Sequence, residues 1–315
     1  MSALLAAPVR RARRLSLPAP AVRTAAAKPS RAFPRLPFAP RPGYADPMNR
    51  ILLWALSLIL TLVSARYQER TGPSYPVRGE LPSAGGSLTY ELPRTHVTTS
   101  GAEVSIPALT SAGTLHWRRY PLAEPFRQIP LTLAGDSLRA LLPAQPPAGK
   151  VEYYFELPGA FVPRLPADRT VVLRYRGEVP IAALLPHIVL MFLSMLIAIR
   201  AGLGAAAGRD EPRLAWIVLA GFTIGGLVFG PIVQKHAFGA YWTGVPFGWD
   251  LTDNKTLIMW FAWLAACLAP GLRPRWRRAT VVGAAVVTLA VFMIPHSMQG
   301  SQLEYTQQDN TVSER

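Results

Sequence analysis

The spacing of hydrophobic residues changes character along this chain. Residues 1–47 show no apolar period. Ile51–Val63 is an apolar run of 13 residues. From residue 66 to residue 179, short stretches alternate apolar and polar positions between Pro and Gly punctuation. After residue 180 the alternation gives way to long apolar runs: Ile181–Ile199, Leu214–Val233, Thr256–Leu268 and Ala279–Ile294. A period of two marks strands with one buried face. Apolar runs near 20 residues mark helices long enough for a hydrocarbon core of ~30 Å. The pattern therefore predicts an all-β domain over 66–179 and a four-span helical bundle over 180–296. A basic tail over 1–47 and a hydrophobic N-terminal segment over 48–65 precede them, and a polar tail over 297–315 follows.

Seven runs read as strands: Leu88–Leu92, Glu103–Ile106, Thr114–Tyr120, Gln128–Leu133, Ser137–Leu142, Val151–Leu157 and Thr170–Tyr175. Val151, Tyr153 and Phe155 share one face, Glu152, Tyr154 and Glu156 the other. Leu115 and Trp117 share a face opposite His116 and Arg118. This density of short strands suits a β-sandwich. The segment LPAQPPAGKVEYYFEL, residues 142–157, resembles the corner and following strand of fibronectin type III and other immunoglobulin-like domains. That resemblance implies recognition or scaffolding rather than chemistry.

The segment from Met48 has the n-region and h-region of a signal peptide, with Val63 and Ala65 at the −3 and −1 positions of a cleavage site. It is either a cleaved signal or an uncleaved N-terminal anchor, and both send the β-domain across the membrane. The tail over 1–47 holds nine prolines, eight arginines and one lysine against one acid, Asp46. It reads as disordered or as a transit peptide, or as sequence ahead of a true start at Met48. Most of the chain's net charge of +15 thus sits in a Pro/Ala/Arg-rich tail with no helical period, so no nucleic-acid partner is expected. Cys267 is the single cysteine, so no intramolecular disulfide forms.

Sidedness follows from the loops. Arg200, Arg209 and Arg213 separate the first two C-terminal spans, and Arg273, Arg275, Arg277 and Arg278 separate the last two. The positive-inside rule puts both groups in the cytoplasm. The β-domain, the 234–255 loop and the C-terminus then lie outside a bacterial inner membrane. This topology gathers His187, His236 and His296 at the outer face, with Asp250 and Asp253 before the third span and Trp242 and Trp249 beside them. Imidazoles and carboxylates are the usual ligands of transition metals and haem iron. The same residues also suit helix-to-helix hydrogen bonds and headgroup-level anchors, or a proton path through His187. Thr252 or Asp253 is expected to cap a helix beginning near Lys255, whose outer end favours an anion. Gly221, Gly225, Gly226 and Gly230 form overlapping Gly-x-x-x-Gly patterns, expected at a helix-packing seam. Pro186 and Pro231 are expected to bend their helices and open a pocket near His187.

The segment FGAYWTGVPFGWDLTDNKTLIMW, residues 238–260, resembles the tryptophan-rich outward segment of the haem-handling proteins of cytochrome c assembly. The resemblance implies an aromatic platform of Trp242, Trp249 and Asp250 flanked by His236 and His296. The segment is also similar to a loop of bacterial multi-pass membrane proteins of this layout, which implies no activity. The chain has no Gly-x-Ser-x-Gly, no P-loop and no His-Glu-x-x-His, so an enzyme is the minority reading. The leading expectation is an accessory or binding protein that rests in a lipid bilayer and presents a periplasmic β-sandwich to a protein partner. A haem- or metal-handling protein and a small transporter or complex subunit stand as alternatives.

Overall fold

A computed structural model of the chain describes residues 47–83, 86–269, 271–295, 303 and 305. All of them belong to one compact unit, Ala45–Arg315. Apart from Pro47, the basic tail lies outside the described residues, as do His296 and all of the 297–315 tail except Leu303 and Tyr305.

The first element is helical. α1 spans Pro47–Thr71, well beyond the apolar run that marks it in the sequence. Ser57, Thr61 and Ser64 are buried, while Ile51, Leu52, Ile59, Leu62 and Val63 are exposed. Small polar residues at i, i+4 and i+7 let α1 approach the other helices closely, and its large apolar residues face outward. A water-soluble helix has the opposite polarity. The Ser57 and Thr61 hydroxyls donate to carbonyls one turn back, Leu53 O and Ser57 O, so neither of these protons is stranded.

Eleven strands follow among the described residues. β1 (Val77–Ser83) and β2 (Gly86–Leu92) form an antiparallel hairpin. β4 (Ala102–Pro107), β8 (Ser137–Leu142) and β7 (Thr132–Ala134) form a second sheet in that order. The third runs β3 (Thr95–Val97), β11 (Val171–Arg176), β9 (Lys150–Glu156), β5 (Thr114–Arg119), β6 (Arg127–Pro130), with β10 (Arg164–Leu165) also on β9. The β3–β11 pair is parallel and the other pairs are antiparallel. One apolar core joins all three sheets: Leu81 and Leu92, Val104, Ile106, Leu138 and Leu142, and Leu115, Trp117, Val151, Tyr153, Phe155, Leu173 and Tyr175.

The run Gln128–Leu133, expected as one strand, is two. β6 pairs with β5, β7 pairs with β8, and the chain changes sheets at Leu131. Pro130 has no N–H to continue the β5 ladder, and the Leu131 N–H turns to Gly113 O at 2.9 Å. His116 and Glu152 lie on the face opposite the core, yet both are buried. His116 stacks on Tyr154 at 4.7 Å and bonds Glu156, and Glu152 takes Arg118 and Thr170. This ion-paired layer covers the middle of the outer face.

The helical part continues with α2 (Ile181–Ala206), α3 (Pro212–Gly221), a π-helical segment (Phe222–Phe229), α4 (Gly230–Phe238), α5 (Leu251–Cys267) and α6 (Pro274–Met293). Among the described residues four helical stretches are long and apolar enough to cross a membrane: Asn49–Thr71, Ile181–Ala206, Pro212–Phe238 and Pro274–Met293. α5, expected as a full span, has 17 residues, roughly 25 Å of rise, and is not among the four. It is nonetheless packed between its neighbours. Trp263 is fully buried and its Nε1 donates to Thr288 Oγ1 on α6 at 2.8 Å, while Trp260 Nε1 donates to Thr223 Oγ1.

Arg200 differs from the sequence reading. It lies inside α2 rather than in the following loop, is 2% exposed, and donates to Glu211 at 2.8 and 3.3 Å. Its guanidinium also sits over the Trp54 ring of α1. At the same end of the bundle, Arg277 pairs with Asp210 and Arg278 donates to Gly208 O.

The β-domain rests on the opposite end. The Gly177 N–H, in the link from β11 to α2, donates to Ala237 O of α4 at 2.9 Å. A Cβ at Gly177 would lie 2.1 Å from the His236 carbonyl oxygen, so only glycine permits this approach. Tyr305 returns to the β-domain, its hydroxyl bridging the N–H and carbonyl of Lys150 at 3.0 Å each.

Candidate functional site at the mouth of the bundle

The site is assembled where the π segment, α4 and the start of α5 meet α2. The π segment exists because the helix widens by one residue per turn there: the Gly230 N–H reaches back five residues to Gly225 O. Such segments recur at functional sites. The glycines allow the crowding. A Cβ at Gly221 would fall 2.0 Å from Ser194 Oγ, one at Gly225 2.7 Å from Leu190 Cβ, and one at Gly226 2.8 Å from Thr256 Cγ2. Gly230 is less tight, its nearest neighbour being the His187 ring at 3.7 Å.

His187 Nδ1 lies 2.8 Å from Gly225 O. A carbonyl only accepts, so Nδ1 carries the proton and, in the neutral ring, Nε2 keeps the lone pair. His187 lines a cavity of about 150 Å³ together with Met191, Gln234, Phe238, Asp250, Asp253 and Thr256. The two carboxylates, Gln234 and the threonines thus share the cavity with an apolar lining of Met191, Val233 and Phe238.

The 239–250 loop closes the mouth. Gly239 adopts φ +90° and ends α4. The loop then folds back over α5 through three side chains. Asp253 Oδ2 accepts from Thr243 N at 2.6 Å, Gly244 N at 3.0 Å and Gln234 Nε2 at 3.1 Å. Asn254 Oδ1 accepts from Val245 N at 2.8 Å. Asp250 Oδ2 accepts from Thr243 Oγ1, while its Oδ1 accepts from Thr252 N and caps α5. The cap is thus Asp250, not Thr252 or Asp253. Asp253 is instead spent on the loop, because Thr243 and Gly244 would otherwise leave amide protons without acceptors.

The expected constellation is brought together in part. His187, Asp250 and Asp253 share the cavity. Lys255 is buried beside a smaller one, and its ammonium donates to the carbonyls of Ile294 and Pro295 at 2.8 and 3.2 Å. His236 is exposed in the last turn of α4 and lines neither cavity. Trp242 donates to Val245 O, and Trp249 is 86% exposed, beside Phe247 at 82%. His296 lies outside the described residues. Among the described residues, no three of His, Cys, Asp and Glu group closely enough to hold a metal ion. Gln234 and Thr243 belong to the site but went unread, since amides and hydroxyls carry no charge pattern. The one available signal was the place of Thr243 and Asp250 in a loop of 12 residues between two helices, with Gln234 in the helix before it and Asp253 in the helix after it.

No protein family, no curated protein and no solved structure matches this chain.

The site's geometry ties the mouth to the β-domain. The Arg174 guanidinium of β11 lies 4.1 Å over the Phe238 ring, which lines the cavity from α4. The Asp250 carboxylate is close enough to act electrostatically on both Lys150 and Arg174. The mouth and the β-domain therefore form one polar junction at the level of the helix ends.

Proposed function

We propose that the chain is a multi-pass membrane protein of the bacterial inner-membrane kind that works as an accessory or binding component. It presents an extracytoplasmic β-domain and the 239–250 loop to a partner as one face. The observation that carries this reading is the direct junction of the two parts: Gly177 against Ala237 and Arg174 over Phe238. A domain hung on a loose tether would need neither contact. The bilayer assignment draws support from the outward-facing apolar residues of α1 and from arginines concentrated at the end of the bundle remote from the β-domain. Exposed Tyr241, Phe247 and Trp249 suit the headgroup level.

An immunoglobulin-like sandwich is the reading of the β-domain favoured by its strand order. β2 lies against β4, which is followed by β8 and β7, while β11, β9, β5 and β6 make the other layer. This corresponds to the ABED and GFC arrangement, with Trp117 on the strand that keeps the core tryptophan in that fold.

Cysteines placed singly at Phe161, Trp249 and Arg209 in a Cys267→Ala background test the layout. A membrane-impermeant maleimide is expected to label positions 161 and 249 on intact spheroplasts, and 209 only after permeabilisation. Photo-crosslinkers at 161 and 249 should then capture the same protein, and one at 209 should not. Labelling of 161 and 249 from opposite sides, or crosslinks at 249 to lipid alone, would remove the reading.

A further inference from the structure

A second cavity, of about 180 Å³, lies on the β-domain side of the junction and differs in chemistry from the mouth. Pro73, Ser74, Arg94, Tyr120, Lys150, Val172 and Arg174 line it. Three of these are cations and none is an acid. They are not neighbours in sequence; the sheet gathers them. Arg174 on β11 and Lys150 on β9 are direct cross-strand partners. The Arg94 carbonyl, just before β3, accepts the Arg174 N–H at 3.0 Å, and Tyr120, just after β5, donates its N–H to Lys150 O at 2.9 Å. One row across four adjacent chain segments thus holds Arg, Arg, Lys and Tyr.

Like charges directly opposite one another destabilise a sheet. Surface cations tolerate this when water or carboxylates surround them. Here the Arg94 and Lys150 side chains make no hydrogen bond or ion pair with any described residue. Burial lowers the pKa of Arg94, with Arg169 adding to the effect; burial lowers that of Lys150, with Arg174 adding. Arg174 falls to about 10 through burial, against the attraction of Asp250. Asp250, across the junction, acts on Lys150 and Arg174 while it caps α5. Two half-buried cations without a hydrogen bond or ion pair among the described residues, beside a third and around a space larger than a water molecule, imply a compensating anion.

We propose that this cavity binds a phosphoryl anion, either free or carried on a lipid headgroup. A phosphoryl group offers three unesterified oxygens to three cationic donors, and Tyr120 and Ser74 add hydroxyls at the rim. A single carboxylate offers only two oxygens. The place in the fold suits both sources. Pro73 and Ser74 directly follow the outer end of α1, and Phe238 beneath Arg174 closes α4, so the cavity sits where headgroups meet the helix ends.

The test uses the full chain in detergent, with two probes: inorganic phosphate by titration calorimetry, and phosphatidic acid, a lipid phosphomonoester that keeps three unesterified oxygens, retained in native mass spectrometry. The variants are the neutral pair Arg94→Ala/Lys150→Met and the charge-keeping pair Arg94→Lys/Lys150→Arg. The neutral pair is expected to weaken binding by about tenfold or more, and the charge-keeping pair by no more than about threefold. Phosphate binding that follows this order identifies a free phosphoryl ligand. Lipid adducts that follow it, without phosphate binding, identify a headgroup. Absence of both in the unaltered chain overturns the proposal, as does binding that both pairs leave unchanged or weaken equally. Matched near-ultraviolet circular dichroism shows that each variant is folded. If the neutral pair does not fold, Lys150→Met alone takes its place.

Discussion

Asp253→Ala isolates the role of the loop clasp. In the folded chain one carboxylate oxygen accepts from the Thr243 and Gly244 amides and from Gln234, and Gly244 is buried. Truncation leaves two amide protons facing no acceptor. A buried donor left unsatisfied costs about 1–3 kcal/mol, so the closed loop loses about 3 kcal/mol relative to its open forms. The lost interaction of the Asp253 charge with the α5 dipole adds about 0.3–1 kcal/mol. At 1.4 kcal/mol per factor of ten, amide exchange through local opening should accelerate about a hundredfold. Hydrogen–deuterium exchange read by mass spectrometry over peptides covering 240–249 measures this directly. Asp253→Asn keeps a carbonyl acceptor and gives up the charge, so its exchange should rise by less than about tenfold. Equal protection in the unaltered chain and in Asp253→Ala would refute the clasp. Equal acceleration in the Asn and Ala variants would mean that charge at the helix start, rather than amide satisfaction, holds the loop.

Two further outcomes follow from pairs at the two ends of the molecule. Glu211→Ala strands the Arg200 guanidinium inside the bundle, where it is 2% exposed, and should destabilise by about 3–5 kcal/mol; Asp210→Ala, whose partner Arg277 is more open, should cost less than about 1 kcal/mol. Thermal unfolding in detergent followed by tryptophan fluorescence ranks the two, and equal losses would contradict the burial argument. In the β-domain, burial raises the Glu124 pKa, but hydrogen bonds from the Arg119 side chain and backbone outweigh it, and the net shift is downward. A depressed folded-state pKa means stability that is present above the unfolded value and lost as pH falls through the folded one. Glu124→Gln should therefore flatten the acid limb of the stability curve below pH ~4.5 and leave the neutral region's slope unchanged.

How much of this could be read from the sequence depends on the range of the interaction. Ser137–Leu142 and Val151–Glu156 become strands where alternation puts them, because one buried face imposes the period. The apolar runs after residue 180 become helices for the same local reason, Leu268 and Ile294 alone lying one residue past their helix ends. The failures are places where a distant partner decides. Arg200 sits in α2 rather than in a loop, because Glu211 accompanies it into the bundle. Gln128–Leu133 is divided because Pro130 has no donor for the β5 ladder. α1 exceeds its apolar run because Arg66, Glu69 and Arg70 continue the helix, with Arg66 paired to Glu69 one turn on. The buried Ser57, Thr61 and Ser64 stand at helical spacing in the chain, a small-residue face of the kind on which helices pack.

The site shows the same division more sharply. Asp250 and Asp253 were conspicuous as charges in an apolar setting, but their partners are backbone amides up to ten residues away, which no pattern of side chains encodes. The cations of the second cavity were hidden differently. Lys150 and Arg174 each occupy a polar position on a strand, which in isolation says only that the face is solvated. Their meaning appears when strand register sets them opposite one another and Arg94 beside them. A like-charge cross-strand pair is then a local defect in the sheet, and the junction with the bundle keeps it from being relieved by full hydration. Asp250 acts on the same two cations from the bundle side while capping the helix that bears the loop. An anion entering the basic cavity therefore competes with Asp250 for Arg174 and Lys150.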